Sequence, residues 1–105
     1  MALKIFWTDF AKRELKNIFD YYKIKASYRV AQKLVTEIVE KTKILDFQTK
    51  IGQTEELLSD RKENFRYLIY KNYKIIYWCN EAKNRIEVVD IFDTRQNPIK
   101  IEREK

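Results

Sequence analysis

Arg66, Lys74 and Arg95 are the side chains with the clearest capacity for chemistry. They fall in a basic hairpin, NFRYLIYKNYKIIYW, and in the strand and turn IEVVDIFDTRQNP that follow it, between Asn64 and Pro98. Arg66 offers a planar fork of donors that can engage a phosphate or a carboxylate through paired hydrogen bonds. Lys74 adds a mobile positive charge. Arg95 follows the last strand, where local backbone can aim it back at the sheet rim, with Asp93 to orient the bend, Gln96 to bond on two sides and Asn97-Pro98 to end it. Together they could hold a polyanion or an acidic protein segment. The plainer reading is equally physical: charged strand residues meeting water or a local acid, and a well-specified turn at DTRQNP.

Whether Arg66 and Lys74 cooperate depends on hairpin register. A two-residue turn at Lys71-Asn72 sets Tyr70 opposite Tyr73 and Arg66 opposite Tyr77, and sends Lys74 to the other face. A three-residue connection pairs Ile69 with Tyr73 and brings both cations to one face. The second register gathers charge outside and leaves core contacts beneath, so it is the one expected. Tyr70, Tyr73, Tyr77 and Trp78 can stack bases or anchor a peptide, although aromatic strand residues more often pack. Glu55 and Glu56 are carboxylates with nothing nearby to make them reactive, and Asp60 to Glu63 reads as a solvated bend.

The elements that must position these residues are well marked. A strand over 2–7 precedes a helix over 9–24, capped by Thr8 or Asp9, in which Ala11, Leu15, Ile18, Phe19 and Tyr22 form an apolar stripe. Ser27 caps a second helix carrying Ala31, Leu34, Val35, Ile38, Thr42 and Leu45 at the same period, and the short link at 25–27 makes the pair an antiparallel hairpin. The signal weakens from Asp46 to Glu63, where Gly52 permits a turn. Strands follow at 65–70, 73–79 and 85–92, and 99–105 reads as a short edge strand or a frayed tail after Pro98. The expected fold is α+β: a helical hairpin on one face of an antiparallel sheet built from the initial strand and the C-terminal meander, the other sheet face partly open.

The 105 residues suit one domain. With 22 basic and 16 acidic residues the net charge is +6, which favours phosphate or an acidic partner. A lone cysteine, Cys79, excludes an internal disulfide, and with no histidine there is neither an imidazole base nor a Cys/His zinc site. No cofactor or metal is expected. The N-terminus lacks a signal peptide's apolar region and no run is long enough to span a membrane, so a cytoplasmic protein is expected.

The ordered segments IFWTDFAKRELKNIFDYY, IGQTEELL, NFRYLIYKNYKIIY and VVDIFDTRQNP together resemble the RelE/ParE family of bacterial type II toxins, also called plasmid stabilisation toxins. The resemblance covers nearly the whole chain. It implies a toxin neutralised by a cognate acidic antitoxin whose helical or extended segment wraps it. One branch of the family cuts mRNA on translating ribosomes; the ParE-like branch impairs DNA gyrase. By resemblance, Arg66, Lys74 and Arg95 match three basic residues of the ribosome-dependent members, which would hold the scissile phosphate without a metal. Leu68 departs from a lysine of some members, Ile101 stands about where others carry a catalytic tyrosine, and Lys74 could move a proton only with a lowered pKa. These departures favour a ParE-like, non-hydrolytic gyrase inhibitor. A ribosome-dependent mRNA endonuclease is the alternative, and a basic binding module without toxicity is the third reading.

Overall fold

Two helices and three long strands form close to their expected places because each carries its own boundary signals. The computed structural model describes residues 3–95; Gln96, Asn97, Pro98, Ile101 and the expected tail lie outside them. Strand β1 spans Lys4–Trp7, helix α1 Asp9–Lys25 and helix α2 Tyr28–Thr42. Thr8 caps α1, its hydroxyl accepting the N–H of Ala11 at 3.1 Å, and Ser27 caps α2 by accepting from Val30 at 3.1 Å. Each cap contributes about 1 kcal/mol. The sheet is completed by β2 (Gln53–Thr54), β3 (Arg66–Tyr70), β4 (Tyr73–Asn80) and β5 (Arg85–Asp93).

The strand order is β1-β5-β4-β3-β2. The meander β3–β4–β5 is antiparallel, as expected, but β1 runs parallel to β5, so the sheet is mixed and not wholly antiparallel. The helical hairpin carries the chain from β1 back across the sheet, a crossover that lets two strands point the same way. Helical turns at Lys43–Asp46 and Glu56–Leu58, and the two-residue β2 between them, occupy the stretch where the sequence signal is weak.

The three-residue connection is corrected by the structure. Tyr70 pairs with Tyr73 and Arg66 with Tyr77, which is the two-residue turn. Lys71 adopts φ 54° there, a left-handed conformation uncommon for lysine but the one a two-residue hairpin of the right twist requires. Arg66 and Lys74 consequently point to opposite faces.

The main core lies between helices and sheet, where Ala11, Leu34, Ile38, Leu45, Tyr73, Ile75, Tyr77, Ile86, Val88 and Ile91 are buried together. The opposite face is less open than the sequence suggests, because Leu58 and Phe65 fold over Ile76 and Phe92 to make a second cluster. β5 serves both clusters through a bulge. Tyr77 pairs with Val88 and Ile76 with Asp90, leaving Val89 as the extra residue, so Ile86 and Val88 face the helices before it and Ile91 after it. Thr8 marks the same place from the other side, donating its N–H to Val88 O at 3.1 Å.

Candidate partner-binding surface

Arg66 begins β3 on the helix-side face. Its Nη1 donates to Gly52 O at 2.8 Å and to Lys50 O at 3.4 Å, so the guanidinium ties the loop before β2 to the sheet. The same arginine lines a polar cleft of 340 Å³ with Lys50, Asn64, Cys79, Glu63 and Glu81. Two carboxylates in that lining offset the two cations, which makes the cleft a poor trap for a bare anion. Burial, and then the nearby Glu81, push the Cys79 thiol up from its ordinary pKa, so it is not an activated nucleophile.

Lys74 lies on the other face of the sheet. Its Nζ sits 2.9 Å from Glu55 Oε2 and 4.4 Å from the centre of the Tyr67 ring. Glu55 is only 2% exposed, and its second oxygen accepts the N–H of Leu57 at 3.1 Å to start the helical turn that carries Leu58. Glu55 is therefore neither idle nor solvated, contrary to the reading of it as a carboxylate with nothing nearby. Its role is to neutralise Lys74 beneath a covering loop. Asp60 and Arg61, on the bend that follows, form a pair at 3.7 Å, with Asp60 largely in water.

Arg95 stands at the far end of β5, clamped by Asp93: Nε donates to Oδ1 at 3.1 Å and Nη2 to Oδ2 at 2.9 Å. Asp93 also accepts from the backbone of Arg95 at 2.9 Å and from Asn72 at 3.1 Å. These bonds, led by the Arg95 fork, hold the Asp93 carboxyl below its ordinary pKa of 3.8. A depressed carboxyl contributes its stability above the unfolded-state pKa and loses it as pH falls through the lower folded value. Asp93 is thus expected to titrate below 3.8 in a carboxyl NMR titration and to move back toward that value in Arg95→Ala. An unchanged midpoint in the variant would refute the clamp.

The three cations do not share a groove. Arg66 lies opposite Tyr77, whereas Arg95 follows the residue paired with Tyr73, roughly 13 Å further along β4. Lys74 belongs to the reverse face. What the structure does assemble on the helix side is a seam around Tyr73. A groove of 410 Å³ runs between α2 and the β3–β4 turn, floored by Tyr22, Val30, Leu34 and Tyr73 and rimmed by Lys33 and Lys71. A second of 330 Å³ continues past Tyr73 to Ile18, Tyr21, Ile91 and Arg95. Tyr22 joins them, its hydroxyl close to both Tyr73 and Arg95. Burial first, and the neighbouring Tyr22 hydroxyl second, raise the Tyr73 phenol far above its usual range. Tyr70 donates its hydroxyl to Glu37, and that bond, with burial, raises its own pKa.

This seam has an apolar floor and phenol edges, and its rim sets Lys33, Lys71 and Arg95 among Glu14, Glu37 and Asp93, a combination suited to an amphipathic segment of a partner that buries apolar side chains between charges of both signs. Tyr70 and Tyr73 belong to it; Tyr77 does not, being fully buried with its hydroxyl accepting the N–H of Gly52 at 2.9 Å. Lys33, Lys71 and Tyr22 were not singled out by the sequence, where the lysines look like ordinary solvated charges and Tyr22 like one more apolar helix position. Among the described residues no group of His, Cys, Asp and Glu is placed to hold a metal, and no helix is long and apolar enough to cross a membrane.

Residues 5–98 match the family model described as the ParE toxin of the type II toxin–antitoxin system, parDE. No curated protein matches the sequence. Among solved structures, the chain is similar to one titled "Chromosomal ParDE TA system from P. aeruginosa", with a TM-score of 0.72 and 22% identity over 88% of this chain and 96% of that one. At that identity the likeness speaks for the fold.

Proposed function

The chain belongs to the ParE toxin family of type II toxin–antitoxin systems, and from that premise we propose that it arrests growth by inhibiting DNA gyrase and is held inactive by a cognate acidic antitoxin. The observation that carries the choice of target is the dispersal of Arg66, Lys74 and Arg95. Metal-free cleavage of RNA needs several cations and a proton carrier converging on one phosphate. Here each of the three is engaged by a different partner in a different region: backbone carbonyls for Arg66, Glu55 for Lys74, Asp93 for Arg95. That arrangement supports a toxin that acts by binding. The seam around Tyr73 is the surface we assign to the antitoxin, with Lys33 and Lys71 to meet acidic residues of that chain and the apolar floor to supply the affinity that salt does not screen.

The test pairs a measurement on the purified chain with one on expressing cells. Purified chain should inhibit gyrase supercoiling or trap cleaved DNA, and the antitoxin should relieve the effect. Cells expressing the chain alone should stop growing without new ribosome-dependent mRNA ends. Fresh mRNA ends with gyrase untouched would replace this reading by the endonuclease, and unimpaired growth would leave only a non-toxic binding module.

A further inference from the structure

The outer edge of β1 carries a hydrogen-bonding pattern that is complementary to itself. Successive residues of a strand direct their N–H and C=O groups to opposite sides. Thr8 donates its N–H to Val88 O at 3.1 Å, so the even-numbered positions face β5. Leu3 donates the other way, to Asp46 O at 2.9 Å, away from the sheet. Ile5 and Trp7 share the phase of Leu3. Their N–H and C=O groups therefore point outward, and among the described residues no backbone group meets them.

The flank beside that edge is apolar. Ile5, Phe6, Trp7, Leu15 and Val39, with Lys12, line an open groove of 400 Å³. The turn whose Asp46 holds Leu3 brings Ile44, 42% exposed, and Phe47, 72% exposed, into the same neighbourhood. An open edge beside exposed apolar surface is a pairing site unless something blunts it.

We infer that β1 pairs antiparallel with β1 of a second copy of this chain, about a twofold axis at Phe6, joining two five-stranded sheets into one. In this register Ile5 of each copy faces Trp7 of the other. Both are residues whose groups point outward, so every outward N–H of the two edges meets a carbonyl, an isologous closure that leaves nothing over. Phe6 faces Phe6 in the close position at about 4.5 Å between Cα atoms, each ring already covered by Arg85 at 3.8 Å from its centre. Charge selects the same occupant. Lys4 opens the strand and Asp9 follows it, so antiparallel pairing lays Lys4 of one copy beside Thr8 and Asp9 of the other at both ends. An acidic segment would meet Lys4 and Lys12 favourably but would set its own charge against Asp9, whereas a second copy matches Lys4 and Asp9 at both ends.

Disulfide trapping tests this in a Cys79→Ser background. Phe6→Cys should oxidise to a covalent dimer of twice 12.9 kDa, because its axial position gives a Cα separation a disulfide accepts. Lys4→Cys, displaced from the axis, should remain monomeric under the same oxidant. Two surface variants guard against misfolding: Lys4→Glu should weaken self-association by about tenfold in sedimentation equilibrium, and Lys4→Glu with Asp9→Lys should restore it. Equal trapping at positions 4 and 6, a folded Phe6→Cys chain that stays monomeric, or a cross-link from Phe6→Cys to a cysteine-bearing antitoxin in place of a second copy would each overturn the proposal.

Discussion

Replacing Lys74 with methionine is expected to lower the folding stability by about 3–5 kcal/mol, because it leaves the Glu55 carboxylate without a counter-charge in a site cut off from water. Glu55 is 2% exposed and, among the described residues, keeps the Leu57 N–H as its side-chain partner once Lys74 is gone. A loss of that size is a large part of the roughly 5–15 kcal/mol that holds a small domain folded. Denaturant unfolding monitored at the tryptophans measures it. Pairing Lys74→Met with Glu55→Leu should recover most of the loss, since an apolar pair of similar volume needs no counter-ion. The result also bears on the nuclease reading: a Lys74 variant that unfolds is non-toxic for a reason unrelated to phosphate chemistry. A variant with wild-type stability and no toxicity would return Lys74 to the functional site and defeat the structural account.

Gly52→Ala is expected to destabilise the fold by about 1–3 kcal/mol although it adds only a methyl group. A Cβ at this position would stand 2.6 Å from the carbonyl oxygen of Tyr67 and 2.6 Å from the Tyr77 hydroxyl. The first of these is backbone inside the sheet and cannot swing aside. The hydroxyl cannot yield cheaply either, because it accepts the Gly52 N–H in a buried bond that fixes where the loop enters β2. Arg66 should register the damage too, since its donors hold Gly52 O and Lys50 O. Thermal unfolding of Gly52→Ala beside Tyr77→Phe, which removes the bond and keeps the space, separates crowding from the lost hydrogen bond. Equal, small shifts in both would show that the loop tolerates displacement.

The parts of this fold that could be read from residue order are those set locally. Thr8 and Ser27 announce the helix starts, and the apolar stripe of α1 and α2 identifies the face that meets the sheet. Long-range choices were hidden. Nothing near Ile5 states that β1 will run parallel to β5. The hairpin turn at Lys71-Asn72 lacks the glycine that normally signals φ above zero, so charge clustering favoured the wrong register. Glu55 looks like any surface carboxylate until Leu58 and Phe65 close over the sheet and bury it against Lys74. The seam around Tyr73 is assembled from α1, α2, β3, β4 and the end of β5, and no single segment carries its pattern.

The extra residue at Val89 inverts the parity of everything downstream in β5. Asp93 and Arg95 reach the helix-side seam only because the count has been shifted by one between Val88 and Asp90. A related toxin one residue shorter at that point would present the same two letters to the opposite surface. Matching them by column would then equate side chains that never see the same solvent.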